Sequence, residues 1–148
     1  MATPEELGPR LSARLTYLLK RALLELEDLH VEHLAPAGIG ARELTVLMLL
    51  DGREPESQQQ AAGRLGVDRT SMVGLLDSLE AKGLVLRQAD AADRRRNVVV
   101  LTGAGRRTLD EAAAASDAAE SRLLRGLDEA ETRQLRDLLS RIGAERST

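Results

Sequence analysis

Leu11, Leu15, Leu18, Ala22 and Leu29 recur at three- and four-residue steps, with Leu19, Leu23 and Leu26 beside them. That is the period of a helix with one wide apolar face, and it predicts a long first helix over 7–34. Pro36, Gly38 and Gly40 end it. A face so wide exceeds what one packing partner covers, so this helix is expected to touch more than its own lobe. A second helix is expected over 41–51, turning Leu44, Leu47 and Met48 inward, with Asp51-Gly52 as its stop. Ser57-Gln-Gln-Gln60 has the form of a capping box, which starts a short third helix running to Arg64 or Leu65. Leu65-Gly-Val-Asp68 reads as a tight turn, with Asp68 placed to cap the next helix over 69–82. That helix points Met72, Leu75, Leu76 and Leu79 inward and stops at Gly83.

The period then changes. Leu84-Val-Leu-Arg-Gln88 and Asn97-Val-Val-Val-Leu-Thr102 are rich in strand formers and flank a polar loop at 90–96. A two-stranded hairpin directly behind two helices joined by a short glycine-containing turn is a winged helix-turn-helix, far more specific than either half alone. Leu109, Ala112, Ala113, Ala119, Leu123 and Leu127 trace a fifth helix. Asp128-Glu-Ala-Glu131 caps a sixth, which carries Leu135, Leu138, Leu139 and Ile142 as a stripe. The expected fold class is mainly α with a small β-hairpin wing. The expected organisation is one domain over 1–148, with a winged helix-turn-helix lobe at 36–102.

Charge sharpens this picture. The 148 residues carry a formal net charge of -3. Yet Lys82 to Arg107 holds seven basic residues against two acidic ones, a local +5 that leaves -8 elsewhere. Such asymmetry points to a local anionic partner on an acidic body, with a merely solvated charged face as the bland alternative. Arg94-Arg95-Arg96, three adjacent arginines in the hairpin loop, is its densest point.

Composition removes other classes. Tyr17 is the lone aromatic residue, which disfavours single-strand binding by base stacking. The absence of cysteine excludes disulfides, zinc ribbons and thiol sensing. Met1 to Arg10 lacks the basic and apolar regions of a signal peptide, and no apolar run reaches the roughly 18–20 residues needed to cross a bilayer. A cytoplasmic protein without a membrane partner is expected. An enzyme is not expected: no activated nucleophile neighbours a histidine, Gly103-x-Gly105 lacks the rest of a dinucleotide fingerprint, and no cofactor is called for.

Leu76-Asp-Ser-Leu-Glu-Ala-Lys-Gly-Leu-Val85, then Asp90-x-x-Asp93-Arg94-Arg95 and Val99-x-Leu101-Thr102-x-x-Gly105, resembles the MarR family of winged helix-turn-helix transcription regulators. The likeness spans about residues 10–145, and the spacing from Asp-Arg-Arg to Leu-Thr is highly specific. It implies a homodimer joined through helices at 7–34 and 103–145, binding a pseudo-palindromic duplex. It further implies a sequence-specific repressor released by a small amphipathic or aromatic ligand; the alternative is a constitutive or nucleoid-type DNA-binding protein without an effector. Ala61, Gly74 and the missing proline after Asp90 depart from the family pattern.

On that resemblance the recognition helix enters the major groove with Arg69, Thr70 and Ser71 toward base edges. Gly74, one turn on, allows close approach. Arg69 suits a bidentate pair with guanine; its other reading is a solvated first-turn charge. Ser57 and Gln58 open the preceding helix, where backbone amides can hold a phosphate or the side chains merely cap. The resemblance implies that Asp93 and Arg95 pair to brace the loop while Arg94 inserts into a minor groove. Arg96 is expected to contact phosphate or stay solvated. Tyr17, His30 and His33 are candidates for an effector pocket. The histidines also fit helix-end hydrogen bonding or dimer packing, and as a pair a metal; the balance is against a metal.

Overall fold

The computed structural model describes residues 2–143. Its elements are α1 (Pro4–Ser12), α2 (Leu15–Leu34), a 3-10 turn (Ala35–Ala37), α3 (Ala41–Leu50), α4 (Gln58–Leu65), α5 (Arg69–Ala81), β1 (Val85–Ala89), β2 (Asn97–Leu101), α6 (Gly103–Leu123) and α7 (Glu129–Arg141). Two compact units result: residues up to Leu29 with those from Ala118 onward, and His30–Asp117. The division falls within α2 and within α6. Residues 144 and 145 of the segment expected at 103–145 lie outside the described residues.

The His30–Asp117 unit is the winged lobe. Leu34, Val46, Leu47, Met72, Leu76 and Leu79 are each at most 1% exposed and form its centre. Ala61, smaller than the family pattern, is buried in the same cluster. α3 differs from its expected inward face in one position: Met48 is 46% exposed. The buried arc runs from Leu44 through Leu47 round to Val46, so Met48 falls beyond its opposite edge.

The connection from α4 to α5 is built for a sharp reversal. Gly66 adopts φ 62 at the end of α4, a left-handed conformation that glycine enters without strain. The Val67 N–H closes the turn on the Ala62 carbonyl at 3.0 Å. Asp68 then caps α5: its carboxylate accepts the Ser71 N–H at 2.9 Å and the Ser71 hydroxyl at 2.6 Å. These bonds hold the Asp68 carboxyl below its ordinary value, the hydroxyl contributing most.

β1 and β2 pair antiparallel, with Val85 opposite Leu101 and Ala89 opposite Asn97. Val98 and Val99 are both nearly fully buried, and Val99 joins the core of the lobe. A contact absent from the sequence pattern extends this sheet. Glu56, just before α4, bridges Val99 as a one-residue third strand.

The Leu-Thr-x-x-Gly motif joins the wing to α6. The Thr102 hydroxyl donates to the Gly83 carbonyl at 2.7 Å and accepts the Gly105 N–H at 2.9 Å. The Thr102 N–H reaches the Leu84 carbonyl at 3.1 Å. A Cβ on Gly105 would overlap that same Leu84 carbonyl oxygen and lie 3.0 Å from its carbon, so this crossing admits glycine alone.

In the other unit, the helix expected over 7–34 is two helices. Thr3 and Glu6 form a capping box ahead of α1, and Gly8 at φ 76 kinks it. α1 closes with a tight bond from the Arg14 N–H to the Leu11 carbonyl, and α2 restarts from the Arg14 carbonyl. Leu11 and Leu15 keep their four-residue spacing across the break, which is why periodicity hides it. The stripe expected to run to Leu127 also stops short, because α6 ends at Leu123 and Leu127 lies in the following turn. Leu15, Leu19, Leu23, Leu135 and Leu139 line an open apolar groove of about 650 Å³ in this unit. Among the described residues, ten of the thirteen large apolar side chains left exposed belong to it.

Candidate nucleic-acid interface

The N-terminus of α4, the start of α5 and β2 enclose a groove of about 590 Å³, lined among others by Ser57, Gln58, Arg69, Arg87, Asn97 and Val99. Sequence reasoning placed the first three of these here and missed Arg87 and Asn97, which belong to the strands. Neither strand alternates between polar and apolar residues, so no periodic signal marked them.

Ser57 works first as a cap. Its hydroxyl accepts the Gln60 N–H at 3.2 Å, and the Gln60 side-chain oxygen accepts the Ser57 N–H at 3.1 Å. Gln58 follows on the first turn, half-buried beside the groove. Arg69 and Thr70 are exposed at the opening of α5. The Ser71 hydroxyl proton is committed to Asp68, which leaves its oxygen lone pairs for an incoming donor. Gly74 faces open space, with nothing within 4 Å of the position a Cβ would occupy.

Several cations of this lobe are already paired. Arg64 lies 2.7 Å from Glu56, Lys82 2.9 Å from Glu43 and Arg87 2.7 Å from Asp77. Arg87 thereby ties β1 to α5. Its Nε is buried without a partner among the described residues. Arg69, Arg94 and Arg95 are exposed and make no ion pair among the described residues.

The three adjacent arginines separate by environment. Arg94 and Arg95 project from the loop. The expected pairing of Asp93 with the Arg95 side chain takes a different form: the Asp93 carboxylate accepts the backbone N–H of Arg95 at 3.1 Å. A carboxylate two residues upstream suits an Asx-type turn, which a guanidinium on a long stem does not replace. The Arg96 N–H bonds the Asp93 carbonyl at 3.0 Å, and the Asp90 N–H bonds the Arg96 carbonyl at 2.8 Å. Arg96 is half-buried rather than fully solvated. Its guanidinium donates to the side-chain oxygen of Gln60, an internal partner that a charge run cannot reveal.

None of the effector candidates is among the residues that line this groove. Tyr17 is half-buried, and its hydroxyl is buried without a partner among the described residues. His30 Nε2 lies 3.0 Å from the Ser116 hydroxyl, linking α2 to α6. His33 is half-buried on α2. No group of three His, Asp or Glu side chains suited to a metal occurs among the described residues. No helix there is long and apolar enough to cross a membrane.

A helix-turn-helix with a hairpin wing, free arginines on both parts and a groove between them is the architecture of a duplex-DNA-binding regulator. A profile described as the MarR family matches residues 37–96. A MarR-family transcriptional regulator from Rhodococcus sp. RHA1 is 34% identical, over 91% of this chain and 96% of that one, with a TM-score of 0.81. CouR from Rhodococcus jostii RHA1, solved bound to p-coumaroyl-CoA, is 36% identical over 89% of this chain and 93% of that one, at a TM-score of 0.77. The repressor CouR bound to a 23-mer DNA duplex aligns over 96% of this chain and 98% of that one, 33% identical, at a TM-score of 0.82. The chain belongs to the MarR family of DNA-binding transcription regulators.

Proposed function

We propose that the protein is a homodimeric repressor that reads a pseudo-palindromic duplex and leaves it when a small amphipathic or aromatic ligand binds. The observation that carries the DNA half is the sorting of the lobe's cations. Arg64, Lys82 and Arg87 are neutralised by carboxylates, while Arg69, Arg94 and Arg95 face solvent from the recognition helix and wing, as Arg42 and Arg107 do from α3 and α6. Arg69 and Thr70 contact base edges, with Ser71 accepting from a base amino group and Gly74 letting the helix approach. Ser57 and Gln58 present the α4 amides to a backbone phosphate. Arg94 enters the minor groove, and Asp93 shapes the loop that carries it.

The apolar α2 and α7 faces support the dimer, because among the described residues their unit leaves ten large apolar side chains in water. Burying each leucine is worth about 1.5–3 kcal/mol. Ligand release is supported by CouR, a repressor solved both with DNA and with p-coumaroyl-CoA. Tyr17, His30 and His33 are the residues proposed to respond to such a ligand.

Selection of bound sites from random duplex DNA, followed by titration with p-coumaroyl-CoA, tests this. The expected product is two inverted half-sites about 10 bp apart, one helical turn, from which the ligand displaces the protein. Recovery of no preferred sequence would make it a non-selective DNA-binding protein. Selective binding that neither this ligand nor its free acid weakens would remove the effector half.

A further inference from the structure

The base of the wing is held by a residue that the DNA-binding reading leaves unused. Glu56 lies in the connection between α3 and α4, and its carbonyl accepts the Val99 N–H at 2.9 Å. Its carboxylate accepts Arg64 Nε on both oxygens, at 2.7 and 2.8 Å, with Arg53 at 3.6 Å. The side chain is 14% exposed, and the Arg64 bond holds its carboxyl below the ordinary range. Four residues on, the Gln60 oxygen that completes the α4 capping box also takes the Arg96 guanidinium. Residues 56–60 therefore grip the wing twice, at the middle of β2 and at the end of its loop.

A two-stranded hairpin is marginal in water without further support. Whatever freedom the wing keeps in the free protein must be lost on binding, which weakens affinity. The Arg96 N–H and carbonyl are bonded to Asp93 and Asp90, so fixing Arg96 also fixes the loop on which Arg94 stands. We infer that Glu56, seconded by the Gln60–Arg96 bond, is the positioning residue that sets the wing against α4 and so aims Arg94 at the duplex. The inference rests on the proposed groove contact of Arg94.

The test uses the full chain and the tightest-binding duplex recovered from a random library. Glu56→Gln keeps the side-chain shape and the Val99 pairing but weakens the charge-assisted bond to Arg64. Binding is measured for the wild type, Glu56→Gln, Arg94→Ala and the double variant, with amide exchange at Val99 and thermal melting alongside. Glu56→Gln should weaken binding about three- to tenfold, and much less when Arg94 is already alanine, because coupled residues are non-additive. Val99 should exchange faster, while the Tm falls only by the small amount expected of a partly exposed ion pair. Equal losses in both backgrounds, or wild-type affinity with unchanged Val99 exchange, would overturn the inference and leave the Arg94 contact standing. Wild-type affinity in Arg94→Ala would instead bring down the groove contact and the inference with it. Should Glu56→Gln also melt early, Arg64→Lys, which keeps the charge but loses the two-oxygen geometry of Nε, carries the same cycle.

Discussion

The Asp93 carboxylate holds Arg95 by its backbone amide, at 3.1 Å, while the Arg95 guanidinium stays in solvent. The turn therefore depends on residue 93 and is indifferent to the side chain at 95. A double-mutant cycle of Asp93→Ala and Arg95→Ala should return a coupling energy near zero in duplex affinity, within about 0.5 kcal/mol. Asp93→Ala alone should loosen the loop, and Arg95→Ala should act as the loss of one free cation. Strong coupling in that cycle would restore a side-chain pair.

The crossing of α6 over the start of the wing should tolerate almost no change. Gly105→Ala drives a methyl group into the Leu84 carbonyl, and forced backbone movement of this kind costs about 1–3 kcal/mol or more. Thr102→Val removes the bond to Gly83 and the acceptor for Gly105, at about 1 kcal/mol for each hydrogen bond lost. Both are read from denaturant unfolding of the full chain. A wild-type midpoint in Gly105→Ala would mean that the crossing is far looser than the structure has it.

Acid should weaken the lobe at two identifiable points. Hydrogen bonds from Ser71 lower the Asp68 carboxyl, and the bond from Arg64 lowers that of Glu56. A group whose folded-state pKa is depressed binds its proton more readily in the unfolded chain. Its stabilisation is complete above the ordinary values of 3.8 for Asp68 and 4.5 for Glu56, and is lost as pH falls through the lower folded-state values. Asp68→Asn preserves a capping oxygen without titrating, so its melting temperature should fall less steeply than the wild type's over the acid range. Parallel pH profiles would assign the acid loss elsewhere.

The elements most legible in the sequence were those with local punctuation. Ser57 with Gln60, Asp68, Gly66 and Gly83 fixed the ends of α4 and α5, because caps and left-handed glycines act within a few residues. Contacts between distant residues were not legible. Arg96 reaches Gln60 across thirty-six positions, and Glu56 meets Val99 as an isolated bridge, so neither leaves a period to read. The break between α1 and α2 escaped for the opposite reason: the apolar spacing continues through a change in the backbone. Met48 shows the limit of an apolar stripe, which marks a face but not which of its edges the core covers.

The uncovered leucines of α2 should make oligomeric state sensitive to single polar changes. Leu19 and Leu23 are 53% and 55% exposed, and both line the apolar groove of their unit. The wild type should sediment at twice its 16.0 kDa chain mass. Leu19→Glu with Leu23→Glu should drive it toward monomer, withdrawing about 1.5–3 kcal/mol for each leucine no longer buried. Helical circular dichroism from the lobe should persist in the variant. A wild type that is monomeric at micromolar concentration would refute the dimer.

Arg69 and Arg94 should separate by mechanism, although both are exposed cations. A phosphate-like contact is set by charge, so Arg94→Ala should weaken all duplexes and flatten the log–log salt dependence by about 0.9 per arginine, about 1.8 per dimer. Its loss should be largest where the wing meets A·T-rich sequence, whose narrow minor groove concentrates negative potential. Arg69 sits behind the Asp68 cap at the first position of α5, where its fork can meet a guanine edge. Arg69→Ala should therefore reduce discrimination at one base pair of each half-site by about 1–3 kcal/mol, with a smaller effect on unrelated duplexes. Titrations of both variants across a salt series, on the preferred duplex and on one with that base pair changed, decide the matter. Matching losses on the two duplexes for Arg69→Ala would reduce it to a phosphate contact, and an unchanged salt slope for Arg94→Ala would leave that arginine in solvent.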